Sequence, residues 1–234
     1  LIKFYKRLQK PQVISFDLDD TLYNNVPVIL QAERTLLALV NQQLFTHQPL
    51  TLAQWMRLKQ EYASKNSTLA HDVSALRRQF LCHLYQKYEV EQADILSQAA
   101  YQTFYQSRNA FKVTDEQLGY LKVLKQHYRL IAITNGNAEP DLIGLKGIFE
   151  HVVRPENGRL MKPHADIFNH AAQLCQVELH HILHIGDSVT TDVGGAIKSG
   201  MQAGWFNPAN HKFSGVTLPH FEYQSNADLN KLII

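Results

Sequence analysis

The chain has 234 residues, 45% hydrophobic and 19% charged. That balance excludes a disordered polypeptide and predicts one large domain, or one domain carrying an insertion. The net charge of +2, with no long basic block, excludes the footprint of a general nucleic-acid binder.

Cys82 and Cys175 stand far apart, without a CxxC pair, so neither a disulfide framework nor a Cys-rich zinc site is expected. The opening LIKFYKRLQK is interrupted by Lys3, Lys6 and Arg7 and does not read as a secretory signal. No apolar run approaches the roughly 18 residues of a membrane span. The expectation is a cytoplasmic protein, a monomer or weak homodimer, without nucleic-acid or membrane partners.

Along the chain, Val13-Ile14-Ser15-Phe16 is a short β-prone run ending at Asp17. Residues 28–108 then read as nearly continuous helix, four or five in all, with Leu36, Leu37, Val40 and Leu44 at helical spacing, as are Val73, Leu76, Phe80, Leu81, Leu84 and Tyr88. Thr51 with Gln54 and Thr114 with Gln117 predict capping boxes. Asp72 is expected to cap a helix starting at Val73. Trp55, Met56 and Phe80 read as core of the helical segment.

From residue 112 strands alternate with helices. Residues 130–133, 151–153, 182–185 and 201–206 read as strands, 165–174 and 191–199 as helices, the last stopped by Gly200. Gly194 and Gly195 read as places where that helix packs close to the sheet. This alternation predicts right-handed parallel βαβ units, with the helical segment inserted after the first strand. The tail after Asn207 carries no clear pattern.

Ligands of an open parallel sheet bind beyond the carboxyl ends of its strands. Four groups fall there: Asp17 and Asp19; Thr134-Asn135-Gly136; Lys162-Pro163; and Asp187 with Asp192. Singly, each has a plainer reading: an Asp-rich turn, an Asn-Gly turn, a solvated lysine, a helix start. Together they supply acid, oxygen ligands of the kind Mg²⁺ prefers, and phosphate contacts. Four carboxylates and a dianionic phosphate against one lysine would repel each other without a divalent cation.

The order DxDxT, strand-end Thr, Lys-Pro and GDxxxxD, spanning residues 13–192, resembles the haloacid dehalogenase superfamily of Asp-based phosphohydrolases. The resemblance implies an α/β fold: a Rossmann-like parallel-sheet core from residues 1–22 and 112–234, with an all-helical cap of the first type at 23–111. It implies Asp17 as nucleophile, Asp19 as general acid/base, and Thr134 and Lys162 as phosphate contacts; the Asn135 amide is a candidate oxyanion contact from its place in the turn after the strand. Mg²⁺ would be held by Asp17, the backbone carbonyl of Asp19 and Asp187, with Asp192 supporting it through water. A small phosphate monoester is the implied substrate. Arg154-Pro155 departs from the Ser-containing turn common before the third motif.

The stretches DLDDTLYNNVPVIL, HDV at 71–73, AITNGNAEP and HIGDSVTTDVGGAIKSGMQA further resemble bacterial cap-bearing phosphatases of riboflavin synthesis, which act on the phosphoribitylamino-pyrimidine intermediate and on FMN. Tyr23, His71, Asp72 and Arg77 are candidates for substrate selection. Tyr23, Trp55, His71, Tyr101 and Tyr105 are side chains able to stack on or bond a heterocycle. The alternatives are a general small-metabolite phosphatase, a phosphomutase, a carbon–halogen hydrolase, and a non-catalytic phospho-ligand module. His71-Asp72 also matches the signature dipeptide of a different metal phosphohydrolase class, but without that class's companion His/Asp set.

Overall fold

The structure, a computed structural model, describes residues 2–233. The chain divides into two compact units, Leu1–Asn24 with Lys112–Ile234, and Asn25–Phe111.

The first unit is built on a seven-stranded sheet. Its strands are β1 (Lys3–Phe4), β2 (Val13–Phe16), β3 (Arg129–Ile133), β4 (Val152–Val153), β5 (Ile182–Gly186), β6 (Gln202–Phe206) and β7 (Phe221–Tyr223). Their order is β1-β7-β6-β5-β2-β3-β4, and among the described residues only the β1–β7 pair is antiparallel. All four residues of β2 are buried, three of them apolar, as in a parallel sheet covered on both faces. Ser15 pairs with Ile131 of β3 on one side and His184 of β5 on the other.

From β2 the chain fills β3 and β4 on one side, then crosses back to β5 and β6 on the other. The strand order therefore reverses at β2, which makes its carboxyl end the switch point where such sheets bind ligands. Helix α5 (Asp115–Lys125) opens with the Thr114–Gln117 capping box. Helix α6 (Ala165–Cys175) packs Ile167, Phe168 and Ala171 into the core formed with Ile131, Ile133, Val193 and Trp205.

After β5 comes a π-helical turn, Val189–Gly194, running into the short α7 (Gly195–Ser199), which Gly200 ends at φ +98°. Gly195 differs from the expected close approach to the sheet. A Cβ there would meet Phe168 of α6 at 2.8 Å and the Pro163 backbone at 2.9 Å. The tail forms β7, parallel to β6, and a 3₁₀ segment, Asn226–Leu232.

The second unit has four helices: α1 (Asn25–Leu44), α2 (Leu52–Lys65), α3 (Val73–Lys87) and α4 (Ala93–Arg108). Thr51 and Gln54 cap α2 reciprocally, and Asp72 caps α3 by accepting the Ser74 and Ala75 N–H groups. Leu36, Val40, Trp55, Leu81, Tyr85 and Phe104 form the core. Met56 does not join it: one position on from fully buried Trp55, it faces solvent at 44% exposure. Successive helical residues lie about 100° apart, so a narrow apolar stripe buries one and not the next.

Buried Glu33 anchors this core. It accepts from Trp55 Nε1 (2.8 Å), Arg77 Nη2 (2.9 Å) and Lys59 Nζ. Burial works to raise the Glu33 carboxyl, but the charges of Arg77 and Lys59 hold it below its usual value.

Candidate active site

Asp17 leaves the carboxyl end of β2, Thr134 that of β3 and Asp187 that of β5, so three neighbouring strands deliver their groups to one point. Lys162 enters from the segment before α6 and is 2% exposed. Its Nζ donates to Asp17 Oδ1 (2.7 Å), Asp192 Oδ1 (2.6 Å) and the Ile133 carbonyl (2.7 Å). An ammonium has three hydrogens, and all three are placed. Asp192 sits in the π-helical turn and also accepts the Ser188 N–H at Oδ2 (2.9 Å). The turn comes that close because residue 186 is glycine: a Cβ there would lie 2.2 Å from the Asp192 carboxyl carbon.

The electrostatics divide these groups. Burial, reinforced by the charges of Asp192 and Asp19, pushes the Asp17 carboxyl up to about 8 despite Lys162. Burial and Asp192 push Asp187 up to about 6. Burial opposes ionisation of Asp192 too, but Lys162 and the His184 hydrogen bond overcome it and hold this acid far below the carboxylate range. Lys162 is held above its usual value because Asp17 and Asp192 outweigh its own burial.

Oxygens of Asp17, Asp187 and Asp192 lie within 4.8 Å of one another. Such a hard, oxygen-only donor set, with two of its acids disfavoured as anions, fits a divalent cation, whose charge reverses that cost.

The surrounding residues hold these groups in place. Thr21 accepts the Asp187 N–H (3.0 Å) and donates to Asp187 Oδ1 (3.1 Å). Trp205 Nε1 donates to the Asp187 carbonyl (2.8 Å). Asn226, from the tail, donates to the Thr21 carbonyl (3.0 Å) and accepts from Tyr223. Tyr23 donates its hydroxyl to Asp19 Oδ1.

Thr134 Oγ1 accepts the Gly136 N–H (3.0 Å). The Asn135 amide clamps the Lys162 backbone, donating to its carbonyl (3.0 Å) and accepting its N–H (2.9 Å). Arg154, in the loop that departs from the family pattern, donates to the Ala138 carbonyl (2.7 Å) and ties the same turn. Beside Asp187 opens a cavity of about 700 Å³ edged by Thr21, Tyr23, Trp205, Asn207 and His211.

Four residues named for substrate selection fall in two places. Tyr23 is in the sheet unit, on Asp19. In the helical unit, His71 lies in the turn before α3, Asp72 is that helix's cap, and Arg77 is bound to Glu33 with its guanidinium 3.5 Å from the Phe104 ring centre. Trp55 and Tyr101 are buried in the helical core, so they pack that unit rather than offer a stacking face.

Sequence reasoning gave no role to Thr21, Ser15, His184, Trp205 or Asn226. The available signal was Ser15 and His184 as polar residues inside otherwise apolar strands.

A family model for haloacid dehalogenase-like hydrolases matches residues 11–200. The chain is 37% identical over 238 aligned residues to 5-amino-6-(5-phospho-D-ribitylamino)uracil phosphatase YigB of Escherichia coli, covering 99% of this chain and 100% of that one. It is 26% identical to the glyceraldehyde 3-phosphate phosphatase of Pyrococcus abyssi, over 83% of this chain and 81% of that one. Among solved structures it resembles a 2-haloacid dehalogenase from Pseudomonas syringae, with a TM-score of 0.87 and 27% identity, covering 95% of this chain and 97% of that one. The four motifs, the switch-point site and these matches agree: the chain belongs to the haloacid dehalogenase-like hydrolases and is a phosphatase.

Proposed function

We propose that the protein hydrolyses phosphate monoesters through an aspartyl-phosphate intermediate, with a pyrimidine or flavin ribityl phosphate as substrate. The observation that carries the reading is that Lys162 links Asp17 to Asp192 at the carboxyl end of the central strand, with Asp187 beside them.

Asp17 attacks phosphorus in line, and Asp19 gives a proton to the leaving alcohol. Asp19 then takes a proton from the water that cleaves the acyl phosphate. The charge of Lys162, the Thr134 hydroxyl and the Asn135 backbone N–H stabilise the equatorial oxygens. Mg²⁺, held by Asp17, the Asp19 carbonyl and Asp187 with Asp192 behind, would neutralise phosphate charge and keep Asp17 ionised.

The substrate class rests on the phosphoribitylamino-uracil phosphatase relative and on the cavity beside Asp187, roomy enough for a heterocycle and edged by Tyr23 and Trp205. The helical unit is read as the substrate-selecting cap. The similarity to a 2-haloacid dehalogenase raises halide displacement as a second reading. That chemistry needs no leaving-group acid, and here Asp19 is held in place by Tyr23.

The test is phosphate and halide release with Mg²⁺ or chelator. FMN and the phosphoribitylamino-pyrimidine are compared with glycerol phosphate, a hexose phosphate and a 2-haloacid. Mg²⁺-dependent phosphate release, lost on the order of 10⁴-fold in Asp17→Asn, is expected, with the highest kcat/KM on the heterocyclic esters. Halide release, or full turnover in chelator, overturns the reaction. Equal kcat/KM on all four esters overturns the substrate class alone.

A further inference from the structure

Ser15 and His184 are both fully buried, on adjacent strands at paired register, where Val13 and Ile182, two positions back on the same face, show that apolar residues fit. Burying an imidazole and a hydroxyl inside a sheet is costly unless every polar atom is paired. Here they are. Ser15 Oγ lies 2.8 Å from His184 Nδ1, and His184 Nε2 lies 3.1 Å from Asp192 Oδ1.

The directions follow from chemistry. A carboxylate oxygen only accepts, so Nε2 carries the hydrogen facing Asp192. Nδ1 is then the acceptor, and the Ser15 hydroxyl donates to it, which fixes the tautomer. Phe168 closes edge-on over the ring, with centres 5.5 Å apart at 78°. Asp192 Oδ1 thus takes one hydrogen from His184 and one from Lys162, while Oδ2 takes the Ser188 N–H.

We propose that His184 and Ser15 are a positioning pair for the phosphatase reaction: Ser15 sets the His184 tautomer, His184 fixes the Asp192 carboxylate, and Asp192 aims Lys162 at Asp17. The proposal rests on the reading of Asp17 and Lys162 given above. The pair lies one layer behind the reacting groups, touches no substrate, and acts only through Asp192. Hydrogen-bond partners in that layer commonly carry 10–100-fold of activity.

The experiment uses the full chain with Mg²⁺. His184→Leu is expected to lower kcat/KM about 10–100-fold. His184→Gln, whose amide can donate to Asp192 and accept from Ser15, is expected to retain activity within about fivefold of wild type, by the same hydrogen-bond matching. Ser15→Ala is expected to lose less than His184→Leu, and the double variant to match His184→Leu alone, because Ser15 acts only through the ring.

A second arm needs no turnover. In ¹⁵N NMR, His184 should be the Nε2–H tautomer with an exchange-protected hydrogen, and the protected Lys162 ammonium signal should be lost in His184→Leu. Wild-type kcat/KM in His184→Leu, additive Ser15 and His184 losses, an Nδ1–H tautomer, or an unchanged Lys162 signal each overturns the proposal. If the wild type releases no phosphate from any ester, the phosphatase reading falls. The NMR arm then still decides whether His184 holds Asp192 and Lys162.

Discussion

Gly136→Ala tests the role of Asp19 without touching an acid. A Cβ at residue 136 would stand 2.4 Å from Asp19 Oδ2, where ordinary contact begins at 3.4 Å. The carboxylate must therefore retreat by about 1 Å, against the Tyr23 hydroxyl that holds its other oxygen. The remaining contact, Thr134 Oγ1 at 3.4 Å, is unstrained. Because the obstacle is the end of a side chain, the fold yields at little cost, and stability should change by no more than about 1 kcal/mol. A misplacement of about 1 Å at a reacting group costs on the order of 10²-fold.

The assay compares kcat/KM on an alkyl phosphate and on p-nitrophenyl phosphate, with Mg²⁺ saturating. The alkyl ester needs a proton on its leaving oxygen and should lose on the order of 10²-fold, while the nitrophenolate leaves unaided and should lose about tenfold or less. Alkyl turnover within about threefold of wild type in the folded variant would refute the assignment of Asp19 as proton donor. An equal fall on both esters would place the damage on phosphate binding at Thr134 instead.

Two further outcomes follow from the buried charges. Asp17, pushed up to about 8 by burial, keeps a proton in the folded protein that the unfolded chain has released above its ordinary value of 3.8. Stability in chelator should therefore fall as pH rises, by up to about 1.4 kcal/mol per unit, or about 3–5 °C in Tm. The clean window is about pH 6.5–7.5: below it buried His184, held under 6.5, adds an opposite slope, and above it Lys59, pushed down to about 8, does the same. Mg²⁺ should flatten the slope in melting curves, and a flat chelator profile would sink the argument.

In the helical unit, Glu33→Gln leaves Lys59 and Arg77 without their counter-charge. It should cost about 3–5 kcal/mol in denaturant unfolding; a loss under about 1 kcal/mol would show that the cluster is held by solvent rather than by Glu33.

The parts of the fold legible in the sequence share a physical cause. Strands β2, β3 and β5 are buried on both faces over most of their length, so each is a mainly apolar run. The capping boxes at Thr51 and Thr114 are local chemistry, complete within four residues. Asp17 and Asp187 are legible because each lies one step past such a run. Strands β1 and β7 are not: runs of two and three residues are too short to show a period. The place of Asn135 after a strand suggests a phosphate contact, yet its amide is on the Lys162 backbone, a partner 27 positions away. Ser15 and His184 escaped for a related reason. Each alone is an interruption in an apolar run, and only register makes the two a pair.

The charge pattern also explains how one sheet edge tolerates this many acids. Asp192 stays ionised because Lys162, His184 and the Ser188 N–H all donate to it. Asp17 shares Lys162 but, pushed up to about 8, holds a proton near neutral pH when no cation is present. A protonated carboxyl is not a nucleophile, so on the proposed mechanism the cation-free protein would be folded but inert. A divalent cation bound to Asp17 and Asp187 would displace that proton, since its charge reverses the cost of ionising both acids. Metal loading and creation of the nucleophile would then be one event. Stoichiometric proton release on adding Mg²⁺ at pH 7, absent in Asp17→Asn, is its signature; release that survives Asp17→Asn would assign the proton to another group and separate the two steps.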